Sequence, residues 1–251
     1  GENGTIILMG FVGQGAALAV KLTKQAKSSP PNRFPAARNF LLKKGTHKRT
    51  AFELNDHFEF YGAYVNRTCY NETATINLHT LSKHFEALLP VVSELVTEAN
   101  FPEEELKIYQ QNQLQRLTLN LKKSDFIANR LIDEYLFGFD HPYGTYSTEA
   151  SFKNLTREDL VTYYDRFYKH GKAVVFMAGK FPKNMQSLMN QYIGSLPLNQ
   201  QALPNFDHPI HSATSKKYSI VNDESSVQGS IRMARRFPNR HHPDFPGTQV
   251  L

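Results

Sequence analysis

The chain has 251 residues, of which 40% are hydrophobic and 21% charged, and its formal net charge is +6. Its 18 Phe and 12 Tyr supply apolar surface that a disordered chain lacks, and no stretch reaches the roughly 20 apolar residues of a membrane helix. A single cysteine, Cys69, excludes an internal disulfide and any metal site built from several cysteines.

The positive charge is concentrated at the N-terminal end. Residues 1–50 contain nine Lys or Arg and one acid, Glu2, so this part carries +8 and the remainder carries −2. The basic residues are spread out without interleaved aromatic side chains. This pattern favours a solvated or partner-facing basic surface over nucleic-acid binding.

The first sixty residues predict one strand followed by helices. Residues 5–11 are rich in β-formers and predict a strand, and residues 16–27 predict a helix. Residues 36–44 predict a short helix that ends at Gly45. Thr50 and Glu53 have the spacing of a capping box, which opens a helix that runs to Gly62.

The middle of the chain predicts a β-hairpin followed by helices. Two runs with strand character, residues 63–70 and 73–80, flank the dipeptide at 71–72 and predict the hairpin. Apolar residues at helical spacing, start signals and stop signals then predict four helices and a buried strand before a last helix. The four helices are 85–96, with a kink at Pro90, one that starts at Pro102, 124–138 and 156–170. The strand is 172–181 and the last helix is 184–196.

The C-terminal part has a different composition. Residues 197–215 are rich in Pro, Asn, Gln and Ser and predict a linker. Two strand-like runs follow within residues 216–251. The sequence thus predicts an α+β domain over residues 1–196, with an antiparallel or mixed sheet packed against several helices, and the opening of a second, truncated domain over 216–251.

Four local patterns could carry chemistry, and each has a simpler structural interpretation. Gly10, Gly13 and Gly15 could cradle a dinucleotide, but their spacing is not that of the usual fingerprint and no acid follows before Glu53, so a glycine turn is favoured. The histidine pairs at 208/211 and 241/242 lack an element that would fix zinc geometry. The other two patterns are Cys69, interpreted as an apolar strand residue, and the HPYG sequence at 141–144, interpreted as a turn.

Six short segments, in order over about 160 residues, resemble the M16 family of zinc metallopeptidases, whose motif is H-x-x-E-H. The segments are LLKKGTHKRT at 41–50, FYGA at 60–63, LLP at 88–90, FPEEEL at 101–106, LFGFDHPYG at 136–144 and LTREDL at 155–160. The resemblance implies a LuxS/MPP-like α+β fold made of paired similar domains, with residues 216–251 as the start of the second.

The zinc motif itself is missing from the positions where the resemblance places it. Ala36 and Phe40 occupy the two histidine positions, and Asn39 occupies that of the catalytic glutamate. The third ligand, a glutamate in the family, falls near Gln115 or Arg116 in an acid-free stretch. Zinc hydrolysis needs three protein ligands and a carboxylate base, so no zinc, no other cofactor and no hydrolysis by this chain alone are expected.

The resemblance therefore implies a catalytically inactive homologue that pairs with an active M16 subunit or with a second copy. Such a partner would help to form a peptide-binding chamber, with no nucleic acid bound and no membrane span. Asn66, Arg67 and Thr68 match the family's substrate-facing strand and are the candidate peptide-binding residues, although a solvated strand face is the simpler interpretation. The alternative is a zinc metalloendopeptidase whose ligands come from outside these residues. A bacterial periplasmic location is the expectation for the compartment.

Overall fold

A computed structural model describes residues 17–25 (backbone), 35–38, 40, 42, 44–69, 73–169, 173–198, 220–221, 227–236, 242–248 and 250. The chain divides into two compact units. The first comprises Gly1–Gln115 with Ser147–Asp207, and the second comprises Arg116–Tyr146 with His208–Leu251. The predicted strand at 5–11 and the loop of Gly10, Gly13 and Gly15 lie outside the described residues.

The described strands form one four-stranded sheet in the order β2-β3-β1-β4, and every neighbouring pair is antiparallel. The strands are β1 (Ala17–Gln25), β2 (Tyr64–Cys69), β3 (Thr73–Leu81) and β4 (Ala173–Gly179). The predicted hairpin is confirmed, because β2 pairs with β3 from Tyr64 opposite His79 to Cys69 opposite Ala74. The α+β class with an antiparallel sheet is confirmed as well.

The helix predicted at 16–27 is wrong, since the described residues of this segment, Ala17–Gln25, form strand β1. Its sequence, ALAVKLTKQ, contains good helix formers, but Leu18, Val20 and Leu22 also alternate with other residues as in a strand. β1 has partners on both sides, β3 and β4. Pairing along both edges outweighs the small intrinsic preference of these residues for a helix.

The described helices follow the predicted order. They are α1 (Pro35–Arg38), α2 (Ala51–Phe60), α3 (Phe85–Thr97), α4 (Glu103–Asn120), α5 (Ser124–Phe137), α6 (Glu149–Lys153), α7 (Arg157–Tyr168), α8 (Met185–Met189) and α9 (Phe245–Thr248). No described helix has both the length and the hydropathy that a membrane span needs.

The ends of the helices follow from local side chains. Thr50 and Glu53 cap α2 reciprocally, as predicted, and Thr156 and Asp159 do the same for α7. Gly138, with φ of 86°, ends α5. α6 was not predicted; its capping box uses Ser151, a serine where the familiar pattern has Glu or Gln.

Two predicted helices are shorter in the structure. Among the described residues of the helix predicted at 36–44, only residues 36–38 are helical, as part of α1, because the chain turns at Phe40 and takes a positive φ of 61° at Leu42. The helix predicted at 184–196 is α-helical only over Met185–Met189, which is α8, and a π turn over Asn190–Gly194 follows it. The described residues within 216–251 contain α9 and no strand, and the predicted domain division stays a prediction.

The core of the first unit is built from α3, α7 and the strands of the hairpin. Fully buried side chains include Phe85, Leu88 and Leu95 of α3 and Leu160 and Phe167 of α7. Burial of such side chains contributes roughly 1.5–3 kcal/mol each.

In the second unit, the segment 227–236 lies along α5. The Arg232 guanidinium donates to Asp125 and Asn129, at 3.1 and 2.8 Å, and the Arg236 side chain donates to the Leu136 carbonyl at 2.9 Å. The HPYG loop closes tightly on the end of α5, because a Cβ on Gly144 would lie 2.1 Å from the Gly138 carbonyl oxygen. Turn geometry therefore accounts for this glycine.

Candidate functional site

The positions that the family resemblance assigns to zinc-binding histidines lie in the core. Ala36 is 1% exposed and Phe40 is 0% exposed. The Phe40 ring meets Tyr109 edge-on, with centroids 5.2 Å apart, and lies 6.4 Å from the ring of Phe101. Both distances are typical of favourable aromatic pairs. Asn39 lies outside the described residues.

Tyr109 of α4 closes this region from the other side. Its hydroxyl donates to the Ala36 carbonyl oxygen at 2.7 Å, so the polar end of the ring is satisfied inside the core. The contacts continue from Tyr109 to Phe152 and from Phe101 to Tyr164, with centroids 6.4 and 5.6 Å apart. We refer to Phe40, Phe101, Tyr109, Phe152 and Tyr164 as the aromatic cluster.

These residues do not fit a zinc ion. Ala36 and Phe40 have no side-chain donor atom, and the space beside them is filled by the ring of Tyr109. Gln115 is exposed, and it follows Tyr109 by six residues, which is about 9 Å along a helix. Among the described residues, no three His, Cys, Asp or Glu side chains are grouped as a metal site requires.

The loop that follows the vacated positions, residues 44–50, is held by a buried carboxylate. Glu94 of α3 is 7% exposed and accepts hydrogen bonds from the Thr46 hydroxyl and from Arg49. The Thr46 hydroxyl also accepts from the Arg49 backbone N–H at 3.0 Å. Gly45, with φ of 113°, is needed here because a Cβ would lie 2.9 Å from the Arg49 carbonyl oxygen.

A pocket of about 420 Å³ opens beside this loop. Three cations line it, and each is paired with an acid: Lys44 with Glu105 at 2.9 Å, Lys48 with Glu98 at 2.6 Å, and Arg49 with Glu94. The loop is thus fastened to α3, to α4 and to the residues that join them. These pairings leave no local signal in the sequence, since each joins residues at least 45 positions apart.

Strand β2, which carries the candidate peptide-binding residues, lies at an edge of the described sheet and pairs only with β3 there. Asn66, Arg67 and Thr68 are all half-buried. The Arg67 guanidinium donates to the Leu42 carbonyl at 2.9 Å and to the Asn55 side chain at 3.2 Å, and burial lowers its pKa. Arg67 therefore ties the edge strand to α2 and to the turn after α1.

Tyr168 of α7 is buried against Cys69 at the end of β2. Burial raises the pKa of the Tyr168 phenol well above its ordinary value, with a further contribution from Cys69. This contact agrees with the structural interpretation of Cys69 as a packed strand residue, and it positions α7 behind the hairpin.

Tyr164 links the aromatic cluster to α3 and predicts a pH dependence of stability. Its hydroxyl donates to the Val96 carbonyl at 2.5 Å, and burial raises its pKa to about 12 from the ordinary 10.0. The unfolded chain loses this proton first, so the stabilisation present below pH 10 falls as the pH rises towards 12. Between pH 10 and pH 12, we expect the free energy of unfolding of Tyr164→Phe to fall by roughly 1–2 kcal/mol less than that of the parent protein. Urea unfolding at several pH values measures the difference.

The two proteins are compared by how much free energy of unfolding each loses between pH 10 and pH 12. Their stabilities at neutral pH are not the readout, because Tyr164→Phe loses about 1 kcal/mol there with its hydrogen bond. An equal loss of stability between pH 10 and 12 in both proteins would contradict the prediction.

Three comparisons place the chain among known proteins. The family model described as "Peptidase M16 inactive domain" matches residues 154–251. The alpha-1 subunit of the mitochondrial-processing peptidase from Dictyostelium discoideum is 24% identical over 180 residues, which is 66% of this chain and 26% of that subunit. Solved structures supply the third comparison.

A protease from Helicobacter pylori has a TM-score of 0.68 at 16% identity, covering 78% of this chain and 49% of that one. A peptidase M16 inactive domain from Pseudomonas fluorescens has a TM-score of 0.65 at 19% identity, covering 76% of this chain and 48% of that one. The chain thus spans between a quarter and a half of the length of these proteins. The sequence matches support an M16 peptidase-like family member, and the two solved structures show that the chain shares their fold.

Proposed function

We propose that this chain is a catalytically inactive M16 homologue, which helps to form a peptide-binding chamber together with an active zinc peptidase. The observation that carries the proposal is Phe40, a fully buried ring at a position where the family's motif has a zinc-binding histidine. The match to a family model for an inactive M16 domain supports the same assignment.

The proposed absence of catalysis follows from what peptide hydrolysis requires. A zinc peptidase uses the metal to lower the pKa of a bound water and a carboxylate to accept its proton. In this chain the matching positions hold Ala36, Asn39 and Phe40, which supply neither metal ligands nor a base. The residues of this chain can therefore shape a chamber and bind a peptide, while the hydrolytic step belongs to the partner.

The proposed peptide site is the outer edge of β2. An extended peptide can add to a sheet edge through main-chain hydrogen bonds, since alternate residues of an edge strand direct their N–H and C=O groups outward. Asn66 and Thr68 share one face of the strand, where their side chains can contact the peptide, and Arg67 lies on the other face. The contacts of Arg67 with Leu42 and Asn55 then hold the edge in place.

The strand-addition proposal can be tested with a fluorescein-labelled, soluble peptide of alternating Val and Thr residues. We expect saturable binding by fluorescence anisotropy, and at least about tenfold weaker binding when alternate peptide nitrogens carry methyl groups, because two or more main-chain bonds are lost. Asn66→Ala is expected to weaken binding severalfold, whereas Asn112→Ala, an exposed position on α4, should leave it unchanged. Equal affinity for the methylated and unmethylated peptides would contradict addition at the edge.

A further inference from the structure

The outward side of α2 combines two large aromatic side chains with acidic side chains. Phe52 and Phe60 are 79% and 81% exposed, and with Asp56 between them they follow i, i+4, i+8 spacing on one face of the helix. Glu59 lies beside this line. We define these four residues, Phe52, Asp56, Glu59 and Phe60, as the α2 outer face.

The charge of α2 differs from that of the chain around it. The helix contains three acids and no Lys or Arg, although the whole chain carries +6. Glu53 caps the helix through Thr50, but no ion pair within the described residues includes Asp56 or Glu59. By contrast, Glu94, Glu98 and Glu105, which hold the 44–50 loop, are all paired. Among the described residues, the outer face thus carries acids that no cation pairs with.

The aromatic part of this surface extends towards the hairpin. The Phe60 ring meets Tyr61 edge-on, with centroids 5.1 Å apart, and Tyr64 at the start of β2 is 62% exposed. Phe and Tyr side chains are enriched at protein interfaces, and each can remove about 150–250 Å² from water on binding. Two exposed Phe on one face of a ten-residue helix form an apolar surface that a partner can cover.

We propose that the α2 outer face is a docking surface for a basic amphipathic helix of a partner protein. On the i±4 row of Phe52, Asp56 and Phe60, the two Phe rings pack against apolar side chains of such a helix, one on either side of Asp56. Lys or Arg residues flanking that groove pair with Asp56 and Glu59. This surface is made of other residues than the proposed β2 edge contacts, so it stands whether or not a peptide adds to β2.

The test uses two labelled helical peptides of equal length, one of Leu and Lys and one of Leu and Glu. We expect the Leu/Lys peptide to bind, with an affinity that falls as salt is added, and the Leu/Glu peptide to bind at least about tenfold more weakly. The double variant Phe52→Ser/Phe60→Ser should lose at least about tenfold in affinity. Asp56→Asn/Glu59→Gln should weaken binding severalfold and reduce the salt dependence.

Phe181→Ser is the matched control, since Phe181 is 46% exposed in the same unit and outside this surface; it should bind like the parent chain. Circular dichroism checks that each variant keeps its helices. Equal binding of the two peptides, or an affinity that the Phe52→Ser/Phe60→Ser change leaves intact, would overturn the proposal. So would concentration-dependent self-association by sedimentation that this double change abolishes, because the occupant would then be a second copy.

Discussion

Replacing Phe40 with alanine is expected to lower the free energy of unfolding by about 3–5 kcal/mol, the range for large aromatic side chains deleted from a core. Phe40 is fully buried, and its ring contacts Tyr109 and Phe101. The neighbours cannot readily collapse into the space, because Tyr109 is held by its hydrogen bond to Ala36. The change is measured by urea unfolding, monitored by circular dichroism. It appears as a lower urea concentration at the unfolding midpoint with an unchanged dependence of the free energy on urea.

Phe52→Ala is the control for this experiment, because the same side chain is removed from a position that is 79% exposed. Its effect should stay within about 0.5 kcal/mol, as for most surface substitutions. If Phe40→Ala were as mild as Phe52→Ala, Phe40 would not be part of a packed core, and the vacated positions would still have room for a ligand.

Replacing Glu94 with alanine has the second largest expected effect, a loss of about 2–4 kcal/mol. The change leaves the half-buried Arg49 guanidinium without its acid and removes the partner of the buried Thr46 hydroxyl. Removing one member of a buried ion pair is strongly destabilising because the remaining charge is not resolvated. The measurement is again the free energy of unfolding in urea.

Glu98→Ala is the matched comparison, since Glu98 pairs with Lys48, whose side chain is 63% exposed. An exposed ion pair of this kind contributes about 0–1 kcal/mol. The structure therefore predicts that Glu94→Ala is clearly the more damaging of the two. Equal losses would mean that the carboxylate of Glu94 does not fasten the 44–50 loop.

The features of the fold that were predicted correctly have strong local signals. The hairpin β2–β3 follows from two strand-like runs around a short turn, and the capping box of Thr50 and Glu53 marks the start of α2. β1 was missed because its residues have no strong local preference. Its conformation depends on pairing with β3 and β4, which lie more than 40 residues later in the chain.

The candidate site was predictable only in part. The resemblance places Ala36 and Phe40 where ligands stand in the family, but nothing local indicates that Tyr109 fills the space between them. Glu94 did leave a signal, an acid among the apolar residues of α3, eight of whose thirteen residues are buried. A buried acid needs a partner, but nothing local in the sequence identifies Arg49 as that partner. The pairing itself spans 45 residues and required the structure.

The measurement that tests the account most directly is equilibrium zinc binding by the intact chain, by competition with a chromogenic chelator. Histidines 208, 211, 241 and 242 are replaced by alanine in a second protein, so that adventitious binding at these pairs is recognised. We expect no tight zinc binding in either protein beyond what those four histidines explain. One zinc per chain, bound with nanomolar affinity and kept when the four histidines are replaced, would contradict it.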